Sequence, residues 1–347
     1  MSSRDPAPAR APDEILFQLV ESLFSGPGYA PVASVNRRPS DASTSYRSEV
    51  ITIRLADGAC HRLFLKDFGS TRLPKGEPAA RRSRELLVYE RLLVGAEVGT
   101  PAYLGHLWDE REGRFWLLLE LVEGSPLRHE PFECWLAAAA WLGWMQGRLR
   151  GRRRELESCT VLERHDQSFF ASTVAAALSA VSEYRSDLGE HLNAVLDGYG
   201  RLCRLMAAQA ATLVHGSYRP ANVLISRASA GLRVCPIDWE LAAFGSPLYD
   251  LAFIVDGFEP PRLDLLLAAY RLQAEAGGVR LPKESELRLT IQSLRLHKVL
   301  KSLSGCLERG FAEPTVRKLV GMVESSKRAI DAGDGQRRAP RRRRPTS

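Results

Sequence analysis

The sequence lacks any apolar run long enough to cross a membrane. The longest run, Cys134 to Met145, is 12 residues long and contains a glycine, whereas a membrane-spanning helix needs about 20 apolar residues. The first residues, MSSRDPAPARAPDE, carry proline and acidic residues where a secretion signal requires an apolar core. Both absences favour a cytoplasmic protein with no membrane partner.

Cysteine pairs are missing as well. The six cysteines stand at positions 60, 134, 159, 203, 235 and 306, and the closest two are 25 residues apart. Zinc sites and disulfide frameworks use short, repeated spacings. The pattern therefore favours buried, reduced thiols.

The body of the chain has no large excess of one charge. The formal net charge is +7, but six arginines and no acidic residue fall in residues 335–347 (GQRRAPRRRRPTS). The remaining lysines and arginines almost balance the 41 acidic residues. A short basic end is typical of a solvated tail, so the distribution argues against nucleic acid as the main partner.

The 347 residues suffice for about two domains of ordinary size. Apolar residues at helical spacing predict helices, and alternating apolar residues predict strands. In the first third these patterns give, in chain order, a helix from Ile15 to Phe24, strands at 49–55 and 61–68 joined by an Asp57-Gly58 turn, a helix to Leu93 with Glu85 near its start, and strands at 103–108 and 114–122. Lys66 lies on the second of these strands.

From Pro131 onward the pattern is mainly helical, apart from two short strands that follow residue 212. A strand-rich part followed by a helix-rich part predicts an α+β fold with two unequal lobes. We predict the following boundaries: a leader and amphipathic helix at 1–29, a small antiparallel-sheet lobe at 30–119, a hinge at 120–126, a helical lobe at 127–333 and a disordered Arg-rich tail at 334–347.

Three separated elements carry groups suited to a nucleoside triphosphate. They are Lys66, Glu85, and the pair of segments HGSYRPAN (215–222) and IDWE (237–240). Phosphates need a cation, that cation needs an anionic partner, and Mg²⁺ needs oxygen ligands. Asn222 and Asp238 are 16 residues apart across a predicted hairpin, so we expect both beside one metal ion.

In these segments the chain resembles the aminoglycoside and choline kinase-like phosphotransferases, which are relatives of the protein kinases. The resemblance covers about residues 30–330 and is strongest in HGSYRPANVLI and in VCPIDWELAAFGSPLYDLAFI. It implies a bilobal protein-kinase-like fold, ATP and Mg²⁺ as cofactors, and a hydroxyl of a small molecule as the phosphate acceptor.

The same resemblance implies roles for individual residues. Lys66 is similar to the family's nucleotide-binding lysine, and Glu85 to the helix residue that pairs with it. Asn222 and Asp238 are similar to its metal ligands. Glu120 to Val122 resembles the hinge, whose backbone groups would meet the adenine.

Two features depart from the family pattern. Ser217 stands where members usually carry an acidic residue that receives or orients the proton of the acceptor hydroxyl, and a serine hydroxyl is no base at neutral pH. The segment between Val35 and Glu49 contains no glycine, so a glycine-rich phosphate loop is absent. Arg219 is expected either to neutralise charge on the γ-phosphate or to form a salt bridge within the loop. Asp250, in SPLYDLA, resembles the aspartate that braces the catalytic loop.

These residues leave three functions open. The first is ATP- and Mg²⁺-dependent phosphate transfer to a hydroxyl of a small molecule. Ser217 and the glycine-free segment favour instead a pseudokinase, that is, a nucleotide-binding or regulatory module without transfer. The Arg-rich tail supports nucleic-acid binding as a weaker third function. We interpret His215 and Glu240 as structural residues, and the sequence identifies neither the acceptor nor the oligomeric state.

Overall fold

The computed structural model describes residues 12–41, 45–71, 76–228 and 231–338. They form two compact units. The sheet unit consists of the residues up to Ser125 together with Ser226–Glu240, and the helical unit consists of Pro126–Ile225 and the residues from Leu241 onward. Most of the predicted leader and the last nine residues lie outside the described ranges.

An antiparallel sheet forms the body of the sheet unit. The first part of the chain contains α1 (Pro12–Leu23), β1 (Val32–Pro39), β2 (Tyr46–Leu55), β3 (Cys60–Thr71), α2 (Pro78–Leu87), a π-helical segment (Val88–Leu93), β4 (Tyr103–Asp109) and β5 (Arg114–Glu120). The five strands lie in the order β1-β2-β3-β5-β4. Each neighbouring pair is antiparallel.

Helix α1 closes one face of this sheet. Its buried residues Leu16 and Val20 belong to one apolar cluster with Ile51, Leu65 and Trp116 of the strands. The helical spacing that predicted α1 therefore places its apolar stripe on the alternating apolar residues of the sheet.

Strand β1 was not predicted, because the sequence analysis treated the segment after Val35 as a loop. Residues 32–39 instead pair with β2, with Val35 opposite Ile53. The run Asn-Arg-Arg-Pro conceals the alternation of an edge strand. Arg37 nevertheless has a specific place, since its Nε lies 2.7 Å from Oε2 of the buried Glu49.

Helix α2 also begins earlier than predicted. It starts at Pro78, so Glu85 is its eighth residue and does not lie near its start. The first turns, PAARRSR, contain no apolar stripe, and the helical pattern becomes visible only from Leu86. Proline suits the first turn because its missing N–H would have no partner there.

The rest of the chain is mostly helical. It contains β6 (Ser125–Pro126), a 3-10 turn (Leu127–His129), α3 (Phe132–Leu149), a second 3-10 turn (Arg150–Arg152), α4 (Arg153–Ser158), β7 (Glu163–Arg164), α5 (Gln167–Tyr184), α6 (Ser186–Val195), α7 (Gly200–Ala207), β8 (Thr212–Val214), β9 (Val223–Ala228), β10 (Gly231–Pro236), β11 (Ala243–Gly245), α8 (Leu248–Ile254), α9 (Arg262–Ala276), α10 (Glu284–Ser304) and α11 (Glu313–Arg338). Two small sheets have the orders β10-β9-β6 and β7-β11-β8. The predicted α+β class is confirmed.

The segment 226–240 belongs to the sheet unit, although the sequence analysis assigned it to the helical lobe. Arg233 of β10 accounts for much of this placement. Its guanidinium donates to the carbonyls of Gly99 and Thr100 at 2.9 and 2.8 Å and pairs with the carboxylate of Glu120. Such a long-range set of contacts has no periodic signature in the sequence.

Helices α3 and α9 pack closely in the helical unit. A Cβ on Gly143 would overlap the carbonyl of Tyr270, and Gly147 meets Gly277 in the same way. The buried Gln146 lies on the same helix face and accepts a hydrogen bond from the Tyr270 hydroxyl at 2.7 Å. Residues without side chains therefore set the distance between the two helices.

Helix α11 extends to Arg338, so residues 334–338 are helical where the sequence predicted a disordered tail. A helix that is already nucleated gains one backbone hydrogen bond with each added residue, and its polar composition does not prevent this extension. Among the described helices, none combines the length and the apolar character needed to span a bilayer.

Candidate active site

Lys66, on β3, lies between two carboxylates in the sheet unit. Its Nζ is 2.9 and 2.7 Å from the two carboxylate oxygens of Glu85 on α2, and 2.5 Å from Oδ1 of Asp238. The rings of Tyr46 and Phe68 flank the ammonium, with centroids 5.3 and 5.2 Å away. The structure thus brings together three of the residues that the sequence analysis selected.

Asp238 follows β10 in a left-handed backbone conformation, with φ of 68°. Few residues other than glycine adopt this conformation, and it persists only where the surroundings impose it. The next residue, Trp239, is fully buried, and its indole N–H donates to the Pro236 carbonyl at 3.3 Å. This anchor holds the turn that carries Asp238.

Glu240 is a third carboxylate of this site. It is buried, its Oε1 lies 3.2 Å from Nη1 of Arg81, and its backbone carbonyl accepts a hydrogen bond from Arg84 at 2.8 Å. One carboxylate oxygen from each of Glu85, Asp238 and Glu240 lies within 4.8 Å of the other two. Clustered oxygen donors of this kind suit Mg²⁺.

Electrostatic interactions keep the Lys66 side chain charged. Burial alone would lower the pKa of Lys66, but the carboxylates of Asp238 and Glu85 outweigh it, so the pKa is raised. Burial raises the pKa of Glu85 to about 7, although the Lys66 ammonium acts in the opposite direction and lowers this pKa. Lys66 and Arg81 are thus the cations that contact the carboxylates of this cluster most directly.

The segment HGSYRPAN lies in the helical unit, where Asp250 of α8 holds it. The backbone N–H groups of His215 and Gly216 donate to the two Asp250 oxygens at 2.5 and 3.0 Å. Gly216 has φ of 76°, and a Cβ there would overlap the Leu241 carbonyl, so this position requires glycine. Asp250 therefore braces the loop as expected, and burial raises its pKa to about 7 although both N–H groups lower it.

A family model described as the phosphotransferase enzyme family matches residues 49–286, which is more than half of the chain. The chain belongs to this family. The match spans the lysine, the helix glutamate and both loop segments, and it confirms the resemblance seen in the sequence. No curated protein sequence matches the chain significantly.

Solved structures of phosphotransferases and kinases share the fold of this family member. A macrolide 2'-phosphotransferase from Brachybacterium faecium is 18% identical, with 91% of this chain and 97% of that chain covered and a TM-score of 0.54. The GDP complex of wild-type aminoglycoside 2'-phosphotransferase-IIIa is 15% identical, with coverage of 92% and 99% and a TM-score of 0.55. A choline kinase from Cryptosporidium parvum is 12% identical, with coverage of 93% and 95% and a TM-score of 0.54. The predicted protein-kinase-like fold is confirmed.

Ser217 is the main difference between this chain and the sequence pattern of the phosphotransferase family. It is buried, and within the described ranges its hydrogen bonds connect it to the Arg219 N–H, the Asn222 amide and the His215 ring. No carboxylate of the described residues is among these hydrogen-bond partners. The Asn222 amide nitrogen donates to the Ser217 carbonyl at 3.1 Å, which leaves Oδ1 as the atom suited to a cation. That Asn222 and Asp238 bind one metal ion stays a prediction.

The predicted hinge, Glu120 to Val122, follows β5. The N–H of Glu120 donates to the Ala102 carbonyl at 2.9 Å, and its carboxylate accepts two bonds from Arg233 at 2.6 and 2.9 Å. Hydrogen bonds from Arg233 lower the pKa of Glu120. Val122 makes no hydrogen bond to another residue of the described ranges. Nucleotide binding by Glu120 and Val122 stays a prediction.

The sequence analysis missed the part that Arg81, Arg84 and Arg233 play around the site. It also favoured a structural role for Glu240, whose carboxylate joins the cluster of Glu85 and Asp238. The spacing of two residues between Asp238 and Glu240 was the available signal. The arginines gave none: Arg81 and Arg84 lie in a basic stretch, which is equally typical of a solvated surface, and Arg233 is a single arginine in a predicted strand.

Proposed function

We propose that this protein is an ATP- and Mg²⁺-dependent phosphotransferase that acts on a hydroxyl group of a small molecule. One observation carries the proposal: the Lys66 ammonium is shared by the buried Glu85 and by Asp238. A lysine held by a helix glutamate and bonded to a second carboxylate suits nucleotide phosphates. Family membership supports the reaction class.

In this proposal each residue has a defined task. Lys66 binds the phosphates, and Glu85 fixes the position of its ammonium. Asp238 and Asn222 supply oxygen ligands to Mg²⁺, and Glu240 lies near enough to Asp238 to add a third. ATP would supply the phosphoryl group, and Mg²⁺ held by these oxygen ligands would reduce the negative charge on the phosphates. The backbone of the hinge, Glu120 to Val122, accepts the adenine.

The acceptor hydroxyl lies against Ser217 in this proposal, and its proton leaves without a carboxylate base. General acid–base catalysis contributes about 10²–10⁴-fold to a rate. Phosphoryl transfer depends more on positioning and on charge stabilisation, because its transition state is loose. We therefore propose slow transfer that relies on the position of the acceptor and on charge stabilisation at the Lys66 site.

A nucleotide-binding module without phosphate transfer is the second candidate. The observation that favours it is the set of hydrogen bonds at Ser217, which contains no carboxylate among the described residues. It shares the Lys66 site with the first candidate and differs only in turnover.

Nucleotide binding is tested by thermal unfolding with millimolar ATP or GTP, with and without Mg²⁺. We expect Mg²⁺-ATP to raise the Tm of the wild type and to have no effect on Lys66→Met. Arg54→Met is the matched control, because Arg54 is an exposed cation of the same unit. A wild type with no nucleotide-dependent shift contradicts both candidates.

Turnover separates the two candidates. ATP consumption is measured over a panel of hydroxyl acceptors for the wild type and for Ser217→Asp. Consumption by the wild type that depends on an acceptor supports the enzyme. Consumption by the Ser217→Asp variant alone supports the binding module.

A further inference from the structure

A group of cationic side chains in the helical unit surrounds Phe253 on α8. The guanidinium carbon of Arg219 lies 5.8 Å from the Phe253 ring centroid, and Nζ of Lys298 lies 4.2 Å from the same centroid. Arg295, one turn before Lys298 on α10, donates to the Val255 carbonyl at 3.0 Å. We call Arg219, Arg295 and Lys298 the cation cluster.

Among the described residues, one carboxylate, that of Asp256, forms ion pairs with the cation cluster. Asp256 lies 3.0 Å from Lys298 and 3.3 Å from Arg295. Arg219 is exposed and forms no ion pair with an acidic residue of the described ranges. The pKa of Lys298 is lowered, mainly by burial. Asp256 acts in the opposite direction and raises this pKa, whereas the charges of Arg219 and Arg295 lower it further. Three cations beside one acid leave an excess of positive charge.

The Lys298 ammonium distinguishes this cluster from an ordinary solvated patch. Its side chain is only 17% exposed, whereas lysines on a protein surface keep their charged ends in water. Withdrawing a charge from water is unfavourable unless an anion balances it. Asp256 balances one charge and is itself 56% exposed. The cluster therefore has the properties of a site for an additional anion.

The cation cluster adjoins the loop that carries Ser217. Arg219 is two residues after Ser217, and its N–H donates to the Ser217 carbonyl at 2.6 Å. In the proposed function the acceptor hydroxyl meets this loop at Ser217. An acceptor bound there with its hydroxyl at Ser217 would have its other end near Arg219 and Phe253.

We propose that the acceptor of this phosphotransferase is an anion, whose carboxylate or phosphate group binds to Arg219 and Lys298. This inference rests on the proposed function and narrows its substrate class to hydroxy acids and phosphorylated alcohols. Arg295 holds Asp256 and the end of α8 in place and contributes long-range attraction. Neutral alcohols and cationic amino alcohols lack the group that the cluster binds.

The test compares acceptors that differ in one charged group. Glycerate is paired with glyceramide, glycerol 3-phosphate is paired with glycerol, and choline is the cationic acceptor. For the wild type we measure kcat/KM by ATP consumption and acceptor binding by calorimetry without nucleotide. The same measurements are made on Lys298→Met and on Lys318→Met. Lys318 is an exposed lysine of α11, so this control changes the net charge equally.

For the wild type we expect at least one anionic acceptor to have a higher kcat/KM than its uncharged match. In Lys298→Met the ratio of the two kcat/KM values should fall about tenfold, which corresponds to about 1.4 kcal/mol. The ratio stays unchanged in Lys318→Met. Glycerate and glycerol 3-phosphate distinguish a carboxylate from a phosphate preference. Equal or better use of uncharged acceptors or choline overturns the inference and leaves the proposed function standing.

The binding measurement separates a failure of the inference from a failure of the proposed function. Anion binding that depends on Lys298, without any turnover, keeps the anion site and contradicts the phosphotransferase. If the protein shows neither anion binding nor turnover that depends on Lys298, the inference is overturned. Lys66→Met excludes binding at the nucleotide lysine, because an anion held by the cation cluster binds equally well to this variant.

Discussion

Lys66 and Asp238 are separated by 172 residues in the chain, yet Nζ of the lysine lies 2.5 Å from Oδ1 of the aspartate. The same ammonium also bonds to both oxygens of Glu85. One cation therefore joins a strand, a helix and the turn after β10 within the sheet unit. Both the stability of this unit and its proposed binding of nucleotide depend on that cation.

Replacing Lys66 by methionine leaves the buried Glu85 carboxylate without its cation. Breaking a buried ion pair in this way costs about 3–5 kcal/mol, and we expect a loss of that order in the free energy of unfolding at pH 8. The pKa of Glu85 is about 7 beside the Lys66 ammonium, which lowers it, so in the variant this pKa rises further and protonation removes the unpaired charge as the pH falls. The loss should therefore be smaller at pH 6.

Denaturant unfolding at both pH values measures this effect. In the double variant Lys66→Met with Glu85→Gln no charge is left unpaired at position 85, and part of the stability should return. Losses that add without coupling, or that are equal at pH 6 and pH 8, contradict the prediction.

Asp250 gives a second pH dependence, in the helical unit. Its pKa is raised from 3.8 to about 7 in the folded protein, so the folded state binds a proton more tightly than the unfolded state between these values. Stability from this group is therefore largest below about pH 4 and falls as the pH rises to about 7. We expect Asp250→Asn to remove this component, so that the stability difference between wild type and variant shrinks over that interval.

Unfolding curves of the wild type and of Asp250→Asn at pH 4, 5.5 and 7 provide the measurement. Other titrating groups cancel in the difference between the two proteins. The change is expected to be a few kcal/mol, since one pKa unit is about 1.4 kcal/mol. A difference that is constant or that grows with pH would show that Asp250 is ionised throughout.

Restoring a carboxylate at position 217 should increase phosphate transfer. For Ser217→Asp we expect kcat to rise by about 10²-fold or more, within the range of general base catalysis. The KM for ATP should change little, because Ser217 has no part in the proposed binding of the nucleotide. Initial rates of ATP consumption with acceptor and with water alone measure the change.

Ser217→Ala is the control for this variant. If the serine hydroxyl has no catalytic part, its rate equals that of the wild type. A rate that falls in Ser217→Ala and does not rise in Ser217→Asp would mean that the hydroxyl itself is required.

The contact between α3 and α9 predicts a loss of stability for Gly143→Ala. The added Cβ would overlap the backbone carbonyl of Tyr270, and overpacking of this kind costs about 1–3 kcal/mol. The gain in helix propensity from glycine to alanine is about 1 kcal/mol and does not offset the overlap of two backbones. Thermal unfolding of the variant should show a lower Tm.

Gly151→Ala is the matched control, because a Cβ at Gly151 meets no other atom within 4 Å. Its Tm should equal or exceed that of the wild type. A Gly143→Ala protein as stable as this control would contradict the close packing of the two helices.

Prediction from the sequence succeeded where the pattern was local. Helix α1 and strands β2 to β5 have regular apolar spacing, and all were predicted close to their observed bounds. The prediction missed strand β1 because polar residues and a proline occupy most of this edge strand. The predicted start of α2 was wrong because the first two turns of this helix carry arginine and alanine without an apolar stripe.

For the candidate site, too, some residues were predicted from the sequence and others were not. Lys66, Glu85 and Asp238 were selected from their residue types and their resemblance to a family, and the structure places them within hydrogen-bonding distance. For Glu240 the sequence analysis preferred a structural role over an approach to the metal, and it assigned no role to Arg81, although both belong to that cluster. Their place in the cluster depends on how the turn after β10 meets α2, and two segments so far apart in the chain have no shared pattern.

By itself the sequence determined which chemical groups this protein carries, the periodicity of most of its elements, and the family motifs, because each of these is encoded in neighbouring residues. Only the tertiary structure decided that residues 226–240 pack with the sheet unit, that Glu85 and Asp238 share Lys66, and that Arg219 and Lys298 lie beside the Phe253 ring. Those relationships arise from burial, shape and charge balance among residues distant in the chain. Such forces act only once the chain is folded.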